Sequence, residues 1–322
     1  MVTDAYVALG VIDPARFLGG RVKLDPSLAD AALERLGRAL GLGVPQAAES
    51  VLRVATSQMY AALVPLMARK AVDLDRFALL PFGGAGPTHG FLLAREVGIK
   101  RVVVPPSPGV LCAIGSLVAD VRRDFVRTIH EPLHREAAPA LMKRIREGFH
   151  ALADEGRRWL RAQGLDFEAT HSLWSVDLRY LGQSFELMIP VTDDVVTDAG
   201  GEALRKAFHA SYAQVYGYTD EQADIEILNL RTTAIGVTRK PDLTGRVPGR
   251  PAETAARERR IFLDGAPRTA RVLERASLQP GVRLAGPVIV EQYDTTVLVP
   301  PGYTVTMDPS GNLIGEAIDG NR

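Results

Sequence analysis

Apolar positions recur at helical spacing in two early stretches. Residues 26–40, "PSLADAALERLGRAL", carry one stripe, and residues 44–69 carry a longer one in which Ala47, Val51, Ala55, Met59, Leu63 and Met67 stand four apart. Such a period is one face of an α-helix. Asp25 before Pro26 reads as an N-cap and first turn, Gly41 as a stop, and Pro65 as the place for a kink. The pattern then shortens. "FALLPF", "GGAG", "PTHGFLLAREVG" and "RVVVPP" predict strand, glycine turn, helix and strand in quick succession, a βαβ alternation with Gly98 closing the helix. "PGVLCAIGSLVADVRRDFVRTI" adds a buried helix and a further strand.

Near residue 131 the texture changes to a charged helical segment. From His171 strand patterns dominate: a hairpin around Leu181-Gly182 in "SLWSVDLRYLGQSFELMIPV", a helix in "ALRKAFHASYAQVYGY", and a long strand in "DIEILNLRTTAIGVTRK". The Pro/Gly-rich stretch from Pro241 to Arg259 predicts a surface loop. Asp-Gly, Pro-Gly and Ser-Gly turns break the tail into short strands. The expected organisation is residues 1–130, a helical connector 131–170, and a β-rich domain 171–322.

Composition changes this picture little. The chain of 322 residues is 46% hydrophobic and 24% charged, with 38 basic and 38 acidic residues. That is globular composition. Balanced charge gives no whole-molecule attraction to nucleic acid or anionic lipid, so neither is expected as a partner. Cys112 is the one cysteine, which excludes an internal disulfide and a thiolate zinc cluster. It reads as a small buried residue in an apolar run. No basic leader precedes an apolar core, and the apolar run from Gly109 is too short to span a bilayer. A cytoplasmic protein is expected.

The candidate chemistry centres on "LLPFGGAGPTHG", residues 79–90. Glycines between a strand and a helix N-terminus let an anion approach the main chain without meeting a Cβ, and the helix end favours negative charge. The same residues also serve a plain tight turn. "GGAG" is neither G-x-G-x-x-G nor a P-loop, so spacing alone leaves both readings open. His89 stands in the first helical turn, where capping or packing is its commoner role. Asp4 could hold a metal through water or cap its own segment. Asp177 and Arg179 share a strand face and could pair. Glu291, Asp294, Thr295 and Thr296 in "EQYDTT" suggest a turn with hydrogen bonds to another domain. "DAGGEAL" at Asp198 reads as a helix cap. The remaining histidines show no metal-ligand spacing.

"FGGAGPTHG" followed by "VVVPPSPGVLCAIGSLVADVRRDF" resembles the signature of the hydantoinase A / 5-oxoprolinase family. "TDAYVALGVIDPARFLGG", "VDLRYLGQSFEL" and "GPVIVEQYDTTVLVPPG" are similar to further segments of that family, in the same order. The resemblance implies an α/β fold: the second lobe of an actin-like (ribonuclease H-like) ATPase, followed by a β-rich α+β domain. It implies ATP and Mg²⁺ as cofactors, with Gly83, Gly84, Ala85 and Gly86 against the nucleotide and His89 and Asp4 as catalytic candidates. Thr88 replaces a bulkier apolar residue of the family pattern, and Cys112 stands where a serine is common. The implied activity is phosphorylation of a cyclic amide, or a related carbonyl, for ring-opening hydrolysis. Subunits of acetone- or acetophenone-type carboxylases, and a non-catalytic scaffold, are the alternatives. The family's D-x-G-G-T-x-T-D phosphate loop is absent from the sequence. The expectation is therefore an incomplete chain, inactive alone, partnered by a missing N-terminal half and a hydantoinase B-type subunit.

Overall fold

The computed structural model describes residues 1–69, 72–134, 139–197, 200–242 and 256–318. Helix α1 (Val2–Ala8) is followed by α2 (Pro26–Leu40), which begins as its sequence requires. The Asp25 carboxylate accepts from the Ser27 amide at 2.9 Å, and Gly41 ends the helix in the left-handed region. Helix α3 (Val44–Arg69) runs through Pro65. Ala47, Ala48 and Leu52 of its first half are buried, whereas Val54, Met59, Tyr60 and Leu66 are exposed. By length and composition, Val44–Ala68 is apolar enough to cross a membrane, and 11% of its apolar 18-residue window is buried.

Strand β1 (Ala78–Leu79), helix α4 (Gly86–Val97) and strand β2 (Arg101–Val104) form the expected βαβ unit, β1 and β2 being parallel. Helix α5 (Leu111–Val118) corrects one expectation. It has no buried residue, and Cys112 is exposed. An apolar sequence predicted burial, but no described element of the chain covers it.

The chain divides into two compact units, and the division differs from the expected domains. One unit is 117–242; the other joins 1–116 to 243–322. In the contiguous unit, β3 (Val121–Leu133) precedes α6 (Pro139–Ala162) and β4 (Ala169–Tyr180). Then come β5 (Leu187–Val191), α7 (Gly201–Tyr216) and β6 (Ile225–Val237). The strands make an antiparallel sheet in the order β3-β6-β4-β5. Phe149 and Ile145 of α6 and Phe208 of α7 share one core with Val176, Leu178 and Leu230 of the sheet. Asp198 lies outside the described residues, as does most of the stretch read as a loop from Pro241 to Arg259.

Strands β7 (Arg257–Leu263), β8 (Ala266–Glu274), β9 (Arg283–Ala285), β10 (Val288–Glu291), β11 (Thr296–Val299), β12 (Tyr303–Met307) and β13 (Leu313–Ala317) return to the first unit. The β-rich tail is therefore not a domain of its own. Strands β9, β12 and β13 extend the β1-β2 pair into a five-stranded sheet, β1-β2-β13-β12-β9. The other four form the sheet β11-β10-β8-β7.

Strands β10 and β11 of this second sheet are buried on both faces, which explains why "VIV" and "TVLV" lack polar alternation. Side chains alternate across a strand. Ile289 and Leu298 accordingly pack with Ala5, Leu33 and Leu52 of the helices. Their neighbours Val288, Val290, Val297 and Val299 pack with Val102, Val305 and Leu313 of the five-stranded sheet. Helix α4 touches both cores, Leu92 joining the first and Phe91 the second. Its N-terminus is thereby fixed.

One buried polar chain ties α1, α3 and α4 together. Tyr6 Oη lies 2.5 Å from His89 Nδ1, and Thr56 Oγ1 lies 2.9 Å from His89 Nε2. Thr56 uses its own proton on the Leu52 carbonyl at 2.8 Å. It must therefore accept from Nε2–H, which leaves Nδ1 to accept from Tyr6. Burial pushes the His89 pKa below its ordinary 6.5 and the Tyr6 pKa upward.

Two outcomes are expected. A Cβ at Gly315 would sit 2.3 Å from Phe91 Cε1 in the packed core, so Gly315→Ala should cost about 1–3 kcal/mol in urea unfolding; an unchanged midpoint would contradict this packing. A histidine whose folded pKa is depressed contributes stability fully above its unfolded pKa, and that contribution is lost as pH falls below it. Wild type should therefore lose more stability than His89→Gln between pH 7.5 and 5. The difference between the two curves removes the contribution of His209, whose pKa burial also lowers.

Candidate functional site

The turn before α4 presents its main chain to open space. Gly83 has φ +82° and donates its N–H to the Pro108 carbonyl at 2.7 Å. Among the described residues, the amides of Gly84, Ala85 and Gly86 have no acceptor. Ala85 is the N-cap and offers no side-chain cap. A Cβ on Gly84 would meet only the Asp294 carbonyl, at 3.7 Å. The turn is therefore not plugged by side chains.

A cleft of about 760 Å³ opens beside it, with Gly84, Ala85 and Thr88 on its wall. Segments Asp13–Gly20 and Glu291–Thr296 supply much of the rest. Hydrogen bonds fasten the second of these segments to the glycine turn. Thr295 Oγ1 donates to the Gly84 carbonyl at 2.7 Å, and Thr88 Oγ1 donates to the Thr296 carbonyl at 2.6 Å. The Asp294 carboxylate accepts from the Gly109 amide at 2.7 Å and from Gln292 Nε2 at 2.5 Å. Gly109 follows Pro108, whose carbonyl holds Gly83. Motifs lying some two hundred residues apart thus build one loop cluster.

An ion network joins the same cleft. Glu291, 6% exposed, takes Arg257 at 2.7 Å, Arg259 at 2.6 Å and Arg16 at 3.4 Å. Arg16 also pairs with Glu274, and Arg259 pairs with Asp13 at 3.0 Å. The carboxylates on the wall are therefore already neutralised or hydrogen-bonded. Among the described residues no group of three or more His, Cys, Asp or Glu is disposed to hold a metal. The residues described do not fit a protein-held Mg²⁺.

The sequence-predicted site residues separate into two sets. Gly84 and Ala85 line the cleft, with Gly83 and Gly86 flanking them. His89 does not line it: both ring nitrogens are engaged by Tyr6 and Thr56 in the interior, and the residue is 6% exposed. Its link to the cleft runs through Tyr6, which is on the wall. Asp4 is also absent from the wall, although its neighbour Thr3 is there. Its carboxylate meets the Met1 amino group at 2.5 Å. Neither residue is part of the cleft wall.

Asp177 and Arg179 do not pair with each other. Asp177 binds Arg231 at 2.7 Å and Asn229 at 2.9 Å, while Arg179 binds Glu226 at 2.7 Å. A register shift between Asp177 and Leu178 separates the two positions. Sequence reasoning missed Arg16, Arg257 and Arg259. It singled out "EQYDTT" but not its attachment to Gly84, since nothing local marks so distant a pairing.

Residues 1–125 match the Hydantoinase/oxoprolinase family, and residues 133–313 match the Hydantoinase/oxoprolinase C-terminal domain. An uncharacterized protein of Methanocaldococcus jannaschii is 32% identical over 312 residues, covering 97% of this chain and 44% of the relative. Caprolactamase subunit alpha of Pseudomonas jessenii is 28% identical, covering 96% and 45%. The acetone carboxylase beta subunit of Xanthobacter autotrophicus is 26% identical, covering 95% and 44%. The crystal structure of the ATP-dependent caprolactamase from Pseudomonas jessenii superposes with a TM-score of 0.77 at 26% identity, covering 100% of this chain and 47% of that one. The chain thus spans less than half the length of these relatives. On the match of residues 1–125 and 133–313 to these two family models, the chain belongs to the hydantoinase/oxoprolinase family.

Proposed function

We propose that this chain supplies the nucleotide-facing part of an ATP-dependent enzyme that activates a cyclic amide, or a related carbonyl, by phosphorylation. The carrying observation is the open glycine turn. Three free amides at an uncapped helix N-terminus line or flank a cleft large enough for a nucleotide. Such an end favours phosphate through its unsatisfied N–H groups and the helix dipole. The Glu291–Thr296 loop holds the turn in shape. Phosphoryl transfer depends on positioning and charge stabilisation, and a metal clamp would have to come with the nucleotide or from polypeptide other than the residues described. In this reading the first unit is one lobe of an actin-like ATPase, completed by a further polypeptide segment and a second subunit. Support for amide chemistry comes from a relative named a caprolactamase.

A second reading has a specific basis. The acetone carboxylase relative covers as much of the chain, and in that reading ATP activates a ketone for carboxylation. Substrate-dependent ATP hydrolysis by the assembled complex, with a lactam and with a ketone, separates the two.

Gly84→Val adds a Cβ in ordinary van der Waals contact with the Asp294 carbonyl, at 3.7 Å, and sets its methyls at the cleft wall. It should abolish binding of a non-hydrolysable ATP analogue while leaving the thermal midpoint within a degree or so of wild type. Wild-type binding by this chain, alone or with its complementary partner, is the control; no binding in either form would defeat the nucleotide reading. Thr295→Val should weaken the analogue about 3–10-fold by releasing the Gly84 carbonyl, and Thr295→Ser should restore affinity. Equal affinities in all three would dismiss Thr295 as a support of the site.

A further inference from the structure

Across the loop 291–294 from the cleft lies a second cavity of about 420 Å³. That volume suits a small molecule. Part of its wall is apolar, with Val110, Leu278 and Met307 contributing. Arg275 is also in this wall and is 8% exposed. Its guanidinium donates to Gln292 Oε1 at 2.7 Å, the Val104 carbonyl at 3.0 Å and the Gly311 carbonyl at 2.7 Å. A guanidinium has five N–H donors. Nε–H and one further hydrogen therefore have no acceptor among the described residues.

No carboxylate among those residues forms an ion pair with Arg275; Asp294 and Asp308 act on it only at longer range. Burial pushes its pKa down to about 10. A buried cation without an ion partner is costly, and spare donors beside a cavity complement an oxygen acceptor. The Ser107 hydroxyl, in the same wall, also has no partner among the described residues. The carboxylates of the wall do not compete for these donors. Glu274 and Glu291 are paired with arginines, and Asp294 is held by Gly109 and Gln292.

We propose that this second cavity binds a small molecule bearing a carbonyl or carboxylate oxygen on a compact hydrocarbon frame. The oxygen accepts from Arg275 and Ser107, and the frame packs on Val110, Leu278 and Met307. The site is defined without a nucleotide, so it stands or falls apart from the reading of the cleft.

The test uses the full chain without nucleotide and two five-carbon probes, neutral δ-valerolactam and anionic pentanoate, followed by ligand-observed NMR titration. At least one probe should bind saturably, with Kd on the order of millimolar for so small a molecule. Preference for the lactam identifies a neutral carbonyl ligand, and preference for pentanoate identifies a carboxylate. Val110→Trp fills the cavity from an exposed position and should weaken the bound probe at least about tenfold with an unchanged thermal midpoint. Arg275→Gln should lose binding likewise; if that variant does not fold, Val110→Trp alone decides. Failure of both probes on wild type, or wild-type affinity in Val110→Trp, overturns the proposal.

Discussion

A single contact between distant parts of the chain, Thr295 Oγ1 on the Gly84 carbonyl, fixes the shape of the glycine turn. A carbonyl in a sharp bend before a helix has no regular partner. Left to water it would let the turn adopt several conformations, since glycine resists few of them. The carbonyl is held by Thr295 and the helix start by Thr88 on Thr296, which fixes the turn against the loop 291–296. The loop that supplies these bonds is itself held by Asp294 on the Gly109 amide, by Gln292, and by arginines around Glu291. Preorganisation of the cleft is thus built from side chains of its own wall that are already bonded to the protein.

The interior divides its polar work by charge. On one side of the cleft, Tyr6, His89 and Thr56 form a neutral chain in which each proton has one assignable place. On the other side, Glu291 and three arginines form a charged network at a partly wet boundary. The neutral chain sits where three helices pack closely and ionisation would be penalised. The charged network sits where Arg16 and Arg257 remain partly exposed and screening softens the cost of burial. Each arrangement suits its surroundings.

Much of the local architecture was legible from residue order. Asp25, Gly41 and Gly98 bound their helices, the βαβ unit stands where predicted, and Leu181-Gly182 begins the connection between β4 and β5. The glycine turn was legible as a candidate because "GGAG" between a strand and a helix has few physical uses. What escaped was long-range. The tail strands look like a domain of their own because their turns are local, whereas their pairing with β2 depends on burial against Phe91 and Val102. Helix α5 misled in the opposite sense, since apolar composition specifies a preference for cover but not what provides it. His89 was a catalytic candidate only through the family resemblance, its position in the first helical turn favouring capping or packing; the approach of α1 and α3 shows both its nitrogens engaged.

The discontinuity of the first unit bears on how the protein is made. Residues 117–242 form a contiguous body that can collapse on its own as it leaves the ribosome. The five-stranded sheet cannot close until β13, near residue 317, has been translated, because β13 lies between β2 and β12. Until then, Phe91, Val102 and Val104 lack their covering strands. Such late, sequence-distant closure slows folding and lengthens the exposure of apolar surface. During synthesis the nascent chain therefore carries half a core, a state in which chaperone capture and misassembly compete with native closure.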